Sequence, residues 1–538
     1  MKKLSALPLR LSQQALVLML PALLACVVLY APHFDDFLLA DSQSLLSDRA
    51  VLQFSPARFD NWRTAALGDY GGQPGAWLTR MSFALQVAVQ GGVDPASGRV
   101  FNLALFLLAT LAGAVLIQTL LLSRLSPATE ARRVRVAAAL AMCVWCLLPS
   151  QVDTVMHIAD RGLLLSTLLV LAGVYLYLRL RQRWLARHGG AVAACRLAAL
   201  TLALTAVAAG CHGSGWLLPV YVLATELLWL RRAVPAGRQQ LSHSVALVAL
   251  VLVWSVAAAF VSLQLAGTAS LTCLAAFGPC LLLGWFFTVP PLLARRYTAL
   301  LGLPLLAGLV FLTFLQAAPW QSALRLAERD YISDPDGRGR RETLAAAYYT
   351  EAARQTSDAA AQRYLVAARE LYAQAAQSFA GSVNAHAGLV LVDSLLGMQP
   401  AQHYPALAAA LEQASIGAAD VESLRRLMAC SARGVCPAPP GGFAGLLRPA
   451  ANRYPAVGLG DLVLQYCIAR RDYSCARSEA EAVLQRAPQA FVAYQALYVA
   501  ARAEDDIAAA QAVVLRMMQA DPARRWSVPM ADFAAGRL

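Results

Sequence analysis

Long apolar runs with very few charges occupy residues 14–318 and constrain this chain more than any other feature. The whole sequence is 58% hydrophobic and only 14% charged, with a mean hydropathy of +0.52, whereas soluble domains carry about 25% charged residues. A helix needs about 20 apolar residues to cross the roughly 30 Å hydrocarbon layer of a membrane. The sequence therefore excludes a purely soluble protein and predicts an all-α fold with a polytopic membrane domain.

Nine apolar stretches are long enough, or nearly so, to span a membrane. The third is short, and only a few residues separate the fifth from the sixth. The first also resembles a secretory signal with a lipoprotein cleavage site at Cys26, but apolar residues continue through Tyr30 and favour an uncleaved span. We therefore predict about nine spans, at 13–31, 100–122, 136–150, 162–180, 193–211, 214–230, 243–265, 271–290 and 297–318.

Positive charge alternates along the connections between these stretches, and cytoplasmic loops are the ones enriched in Lys and Arg. The pattern predicts a cytoplasmic N-terminus and an outer location, periplasmic in a bacterial inner membrane, for residues 32–99 and everything after 318. Much of the formal net charge of +13 then reflects orientation and indicates no nucleic-acid partner. The basic clusters are Lys2, Lys3 and Arg10; Arg124, Arg132, Arg133 and Arg135; Arg179, Arg181, Arg183 and Arg187; Arg231, Arg232 and Arg238; and Arg295 and Arg296.

The C-terminal part carries a helical-repeat signal. Pro488 and Pro522 lie 34 residues apart, which is the period of tetratricopeptide repeats. With each proline at position 32 of a repeat, Ala476 and Ala510 fall at position 20, where a small residue lets two helices approach closely. Stacked helical hairpins form a concave surface suited to polypeptides; the alternative is a structural cap for the membrane domain. The predicted domains are a membrane domain at 1–320 with an outer-face loop at 32–99, a linker at 321–341, and a soluble tetratricopeptide-like domain at 342–538.

Four of the 11 cysteines lie in the predicted outer domain, in two close pairs. Disulfides form in oxidising compartments, so the spacing predicts the bonds Cys430–Cys436 and Cys467–Cys475. The other seven cysteines lie in or at the edge of predicted spans, where small packing residues are the ordinary explanation. The cysteine distribution is therefore compatible with a periplasmic C-terminal domain.

Adjacent carboxylates follow the first span, at Asp35 and Asp36. Two carboxylates at a membrane surface repel each other unless one acts as a base or binds a cation. They are therefore candidate catalytic residues, and a divalent metal is an option here although no further ligand cluster is apparent. The alternative is a solvated acidic start of a loop.

A few cationic side chains remain on the predicted outer side, where the topology rule depletes them. Arginine suits a phosphate group because its planar fork donates two parallel hydrogen bonds. The alternatives are an ion pair of Arg161 with Asp153 or Asp160, and a hydrogen-bonded loop role for His212. The candidate phosphate contacts are Arg161, Arg80 and His212, with Asp153 and His157 as supporting residues.

The order of these motifs resembles the multispanning, tetratricopeptide-bearing glycosyltransferases of the GT-C superfamily, including the TMTC type. The family has an acidic pair after its first span, and Asp35-Asp36 resembles that pair. Residues 78–85 match the second half of the family's R-P-L-x-x-L-S-F-A-L stretch. Residues 94–103, 149–164 and 211–219 resemble three further family motifs. The chain departs from the pattern where the family's Arg-Pro pair is Ala76-Trp77, its His positions are Arg99, Leu148 and Gln151, and its Lys-Glu pair is His212-Gly213.

The resemblance implies a divergent bacterial member with a GT-C-like fold that transfers a sugar from a polyprenyl-phosphate carrier to an acceptor on the outer face. It implies Asp36 or Asp35 as the base and Arg161 on the donor phosphate. The acceptor is expected to be an exported protein, such as a pilin, presented by the repeats. Two alternatives stay open: a lipid-linked glycan polymerase or ligase, and a membrane-anchored repeat scaffold for envelope or pilus assembly.

Overall fold

A computed structural model describes most of the chain, and all regular secondary structure among the described residues is helical. The described residues separate into two compact units, one within 13–34 and 76–321 and the other within 62–66 and 322–520. The structure describes residues 13–34, 62, 65–66, 76–90, 94–122, 131–186, 191–226, 272–288, 295–337, 339–413, 416–453, 458–486, 488 and 490–520.

The first unit contains eleven α-helices among its described residues, joined in places by short 3-10 turns. They are α1 (Gln13–Tyr30), α2 (Trp77–Gln90), α3 (Pro95–Leu122), α4 (Ala131–Cys146), α5 (Val152–Met156), α6 (Arg161–Ala186), α7 (Ala191–Ala209), α8 (Leu218–Thr225), α9 (Thr272–Ala275), α10 (Phe277–Phe286) and α11 (Arg295–Ala317).

Helix α4 forms much of the interior of this unit, packing against α1, α3 and α10. Its Trp145 is fully buried, stacks on Phe106 of α3 with ring centres 5.1 Å apart, and donates from Nε1 to the Cys273 carbonyl at 3.1 Å. A buried indole keeps its N–H bonded. On the other side of α3 lies α6, which packs in turn against α7 and α8.

Four helical segments of the described chain are long and apolar enough to cross a membrane: Pro95–Leu122, Ile158–Trp184, Ala191–Ala209 and Pro304–Gln321. A fifth results if α4 and Pro149–Met156 count as one span, although they meet at a bend of 59°. The bend falls before Pro149, because a residue that precedes proline is disfavoured in helical geometry. The nine-span count therefore stays a prediction; 243–265 lies outside the described residues, and 214–230 is described only as far as Glu226.

One end of the first unit gathers most of the polar motifs of the sequence, and we name it the site end. Thr79 Oγ1 of α2 donates to the Cys211 carbonyl after α7 at 2.8 Å. Asn102 Nδ2 of α3 donates to the His157 carbonyl at 3.0 Å, and Thr313 Oγ1 of α11 donates to the Leu147 carbonyl at 2.6 Å. The site end comprises residues 30–34, 76–90, 94–102, 147–161, 209–218, 272–276 and 313–321.

A buried ion pair lies far from the site end along α6. Arg181 and Glu226 are 0% and 2% exposed, and Arg181 Nε lies 2.7 Å from Glu226 Oε1. Tyr177 donates its hydroxyl to the same carboxylate oxygen at 2.5 Å, and the Arg181 guanidinium lies 4.2 Å from the Trp184 ring centre. The predicted cytoplasmic side of Arg181 stays a prediction, and the structure adds that Glu226 neutralises this charge inside the helix packing.

The second unit contains eleven described helices. Most neighbouring helices pack along the chain, and α15, α17, α19 and α21 also pack in series. The helices are α12 (Ala323–Ser333), α13 (Arg340–Ala352), α14 (Asp358–Ser378), α15 (Val383–Leu395), α16 (Tyr404–Gln413), α17 (Ala418–Ala432), α18 (Gly442–Arg453), α19 (Leu459–Ala469), α20 (Tyr473–Arg486), α21 (Phe491–Ala503) and α22 (Ile507–Ala520).

Two disulfides lie in this second unit. Cys467 near the end of α19 bonds to Cys475 near the start of α20, and Cys430 of α17 bonds to Cys436 in the following loop. Ala476 and Ala510 are buried at 0% and 3% exposure, as a close approach of two helices requires. The remaining seven cysteines, all in the first unit, are free thiols.

The stretch at 321–341, which the sequence analysis treats as a linker, differs in the structure. Residues 323–333 form α12, which packs against α13. Ser322 caps this helix by accepting the Arg325 N–H at 3.2 Å, and Leu326 is buried. A serine cap followed by an apolar stripe is a helix start signal, so the C-terminal part of the second unit begins at Ser322.

The Arg181–Glu226 pair gives a testable prediction for the fold. We expect Arg181→Met to lower the free energy of unfolding by about 3–5 kcal/mol, because it leaves the Glu226 carboxylate buried without its cation. The double variant Arg181→Met with Glu226→Gln should recover most of this loss. Thermal unfolding of the four proteins of this double-mutant cycle in detergent provides the measurement, and strictly additive effects would contradict a coupled pair.

Candidate functional site

The acidic pair predicted to be catalytic, Asp35 and Asp36, lies outside the described residues. The chain before it is described: α1 ends at Tyr30, and a 3-10 turn, Ala31–His33, follows. That turn packs against the 3-10 turn Ala318–Gln321 after α11. The acidic pair thus follows in sequence a segment that belongs to the site end.

Arg161 begins α6 and is completely buried at the site end. Its Nη2 donates to the side-chain oxygen of Gln86 on α2, and its Nε donates to Asn102 Oδ1 on α3 at 3.4 Å. The guanidinium carbon lies 3.8 Å from the ring centre of Phe83 and 4.6 Å from that of Phe101. Two amides and two aromatic faces therefore surround this cation, and both kinds of group are favourable neighbours for it.

The charge of Arg161 has no carboxylate partner among the described residues, and its Nη1 has no hydrogen-bond acceptor there. The ion pairs with Asp153 or Asp160 that the sequence left open are therefore not formed. A buried charge without a counter-ion is unfavourable. Phe101, which covers the guanidinium, is itself 39% exposed, so Arg161 lies only one side chain below the surface.

His212 lies in the short turn between α7 and α8. Its Nδ1 accepts the Ser214 N–H at 3.1 Å and lies 3.0 Å from Ser214 Oγ, which in turn donates to Ser166 Oγ at 3.1 Å. Burial lowers the pKa of His212, and an accepting Nδ1 requires the neutral ring. His212 therefore caps the turn and offers an Nε2–H donor, but it supplies no positive charge at neutral pH.

The predicted supporting residues form separate contacts. Asp153 on α5 accepts hydrogen bonds from Gln316 Nε2 at 3.2 Å and from Trp320 Nε1 at 3.0 Å, both at the end of α11. His157 Nδ1 lies 3.4 Å from Asp160 Oδ2. The two residues thus fix the connection between α4 and α6 to its neighbours.

Helix α2 carries the third predicted cation, Arg80, which is half-buried. The helix is held at its start, where the Leu78 N–H donates to the Gly210 carbonyl at 3.0 Å. A Cβ at Gly162 would lie 2.6 Å from the Cys211 carbonyl oxygen and 2.8 Å from Thr79 Oγ1. Glycine at position 162 therefore permits the close approach of α2 to α6, and this approach brings Gln86 to Arg161.

The site end thus brings the described candidates to one region but divides them among three hydrogen-bond networks, centred on Arg161, His212 and Asp153. Sequence reasoning missed Gln86, Phe83 and Phe101 as surroundings of Arg161, and it named Arg99 only as an outer-side cation at a motif position. The Arg99 side chain is 1% exposed and donates from Nε to the Met156 carbonyl at 3.2 Å. No local signal marks Gln86, because its partner lies 75 residues away.

No group of three or more His, Cys, Asp or Glu side chains within the described part of the chain is arranged to hold a metal ion. The comparisons with known proteins add no constraint, since no protein-family model, curated protein or solved structure matches the chain. The proposals below therefore rest on the residues and their geometry.

The contrast between the two buried arginines of α6 is testable. We expect Arg161→Met to leave the unfolding temperature unchanged or to raise it, because this substitution removes a buried charge that has no counter-ion in the described part of the chain. The matched variant Arg181→Met should lower it. Thermal unfolding of both variants in the same detergent provides the measurement. An equal decrease in unfolding temperature in the two variants would assign Arg161 a purely structural role.

Proposed function

We propose that this chain is a GT-C-like membrane glycosyltransferase. It would transfer a sugar or glycan from a polyprenyl-phosphate donor to an acceptor, such as an exported pilin, on the periplasmic side of a bacterial inner membrane. Under this proposal the first unit crosses the membrane about nine times with its N-terminus in the cytoplasm. The second unit is a tetratricopeptide-like periplasmic domain that presents the acceptor protein.

The single observation that carries the proposal is the buried charge of Arg161, which has no carboxylate partner among the described residues. Ionisable groups buried in membrane domains are retained mainly where they are paired or have a function. On the same helix Arg181 is paired with Glu226, whereas Arg161 has no carboxylate partner in the described part of the chain. An anionic ligand oxygen at Nη1 would complete the hydrogen bonds of Arg161 and neutralise its charge.

The depth of Arg161 fits a lipid phosphate. Arg161 and Arg181 are 20 residues apart on one helix, which corresponds to about 30 Å at 1.5 Å per residue. This distance equals the thickness of the hydrocarbon layer. If Arg181 lies near the cytoplasmic boundary, Arg161 lies near the outer boundary, at the level where the phosphate of an embedded polyprenyl carrier would sit.

In the proposed reaction an acceptor hydroxyl attacks the anomeric carbon of the donor sugar. Asp36 or Asp35 takes the hydroxyl proton as the new glycosidic bond forms. The bond between the sugar and the phosphate oxygen breaks, and the charge that develops on the departing lipid phosphate is stabilised by Arg161. Arg80 and the Nε2–H of His212 are candidates for further phosphate contacts, and Asp153 and His157 hold the surrounding turns.

The catalytic assignment of the acidic pair is tested by substitution. We expect Asp35→Asn or Asp36→Asn to lower glycan transfer about 100- to 10,000-fold, because the general base is lost. Mass spectrometry and lectin binding of exported glycoproteins, in cells that carry only the variant, measure the outcome.

Asp94→Asn is the matched control. Asp94 accepts the N–H groups of Ala96 and Ser97 at the start of α3, which an asparagine can also do. Unchanged glycosylation in a folded Asp35→Asn, Asp36→Asn double variant would refute the catalytic role. If removal of 322–538 then abolished assembly of a surface structure, the membrane-anchored scaffold would be favoured.

The periplasmic location of the second unit is tested by counting thiols. The protein has 11 cysteines, of which seven are free. In protein made by the cell and denatured without reductant, we expect seven cysteines to react with a maleimide, and all eleven after reduction, because the two disulfides need an oxidising compartment. Eleven reactive thiols before reduction would place the second unit in the cytoplasm.

A further inference from the structure

Two further buried polar side chains at the site end lie near the Asp153 network. Tyr30, the last residue of α1, and Gln151, in the 3-10 turn Pro149–Gln151, are both completely buried. Tyr30 Oη and both Gln151 side-chain atoms, Nε2 and Oε1, have no hydrogen-bond partner among the described residues. Buried polar atoms are almost always hydrogen-bonded, so three such atoms in one region indicate an occupant.

Tyr30 and Gln151 share their neighbours. Helix α1, whose last residue is Tyr30, packs against α11, and the 3-10 turn after α1 packs against the turn after α11. The turn that holds Gln151 packs against α9 and α11, and α11 with its following turn also supplies the two donors to Asp153. The ends of α1, α4, α9 and α11 therefore surround one polar region with Asp153 beside it.

The chemistry of this region selects its occupant. The Gln151 amide offers two donor hydrogens and an acceptor oxygen, and the Tyr30 hydroxyl donates one hydrogen and accepts another. Neither group is charged, and the nearby Asp153 carboxylate only accepts when it is ionised. An occupant must therefore carry several groups that both donate and accept, without negative charge. Hydroxyl groups have this property, and they occur on a sugar ring and in water.

We propose that Tyr30, Gln151 and Asp153 bind the hydroxyl groups of the donor sugar. This inference rests on the proposed function, because the sugar would arrive on the lipid phosphate that Arg161 holds. It assigns separate tasks to two parts of the site end: the region around Arg161 binds the phosphate, and the region around Gln151 binds the sugar ring. Water alone in the second region is the competing occupant.

The experiment compares the binding of two kinds of lipid, with and without a sugar, to the purified full-length protein in nanodiscs. Farnesyl phosphate tests phosphate binding, and farnesyl phosphates bearing glucose, galactose, mannose or N-acetylglucosamine test the sugar. The rise in unfolding temperature with lipid concentration yields a dissociation constant for each. For the wild type we expect tighter binding of at least one sugar-bearing lipid than of farnesyl phosphate.

The variants separate the two regions. Tyr30→Phe and Gln151→Leu should each weaken binding of the preferred sugar-bearing lipid up to about tenfold, since each removes hydrogen bonds to a neutral ligand. Both should bind farnesyl phosphate like the wild type. Arg161→Met should weaken the binding of both kinds of lipid. The matched control is Gln118→Leu, because Gln118 is also buried with an unpartnered side-chain oxygen but lies near the far end of α3; it should change neither affinity.

Three outcomes would overturn the inference. If the wild type binds sugar-bearing and sugar-free lipids equally, or if Tyr30→Phe and Gln151→Leu leave the preference intact, the region holds water only and phosphate binding stands. If neither lipid stabilises the wild type, the proposed function fails together with this inference. Tyr30→Phe removes a single oxygen, so it decides the matter if Gln151→Leu does not fold.

Discussion

Two fully buried guanidinium groups on α6 organise the first unit, because an apolar helix bundle tolerates a charge only where its surroundings stabilise it. Arg181 meets the Glu226 carboxylate and the Tyr177 hydroxyl, which fixes α8 against α6. Arg161 instead meets the neutral oxygens of Gln86 and Asn102, which join α2 and α3 to the start of α6. Each arginine thus contacts the helices that meet at its end of α6, and the two differ in whether a carboxylate among the described residues neutralises the charge.

The helical class of the chain follows from its composition, since apolar runs of about 20 residues have few other stable arrangements. Which side chains meet does not follow, because the decisive contacts join distant segments. Arg161 and Gln86 are 75 residues apart and Arg181 and Glu226 are 45 residues apart. One signal was available: Glu226 is the only acidic residue between Asp160 and Glu328. A single carboxylate in so long an apolar stretch needs a buried cation.

Local signals were reliable where they describe neighbouring residues. The cysteine spacing led to the pairs Cys430–Cys436 and Cys467–Cys475, which the structure also joins, because each pair spans a single turn or loop. The stretch 321–341, predicted as a linker, contains the helix α12, and Ser322 and Leu326 carry the local signals of a capped amphipathic helix. His212 was weighed as a cation, but its ring is neutral because Nδ1 accepts the Ser214 N–H in a buried turn.

The hydrogen bonds of Arg161 couple any ligand at this residue to the position of α2. Gln86 holds Nη2, donates to Ser97 Oγ at 2.9 Å, and belongs to the same helix as Phe83, which covers the guanidinium. A phosphate oxygen that binds at Nη1 must approach past Phe101 or displace the Gln86 contact. Displacement of the Gln86 contact alters the free energy of α2 docking, and by linkage the docking of α2 then alters phosphate affinity to the same extent. Phosphate binding and the placement of α2, which also carries Arg80, would therefore be parts of one equilibrium.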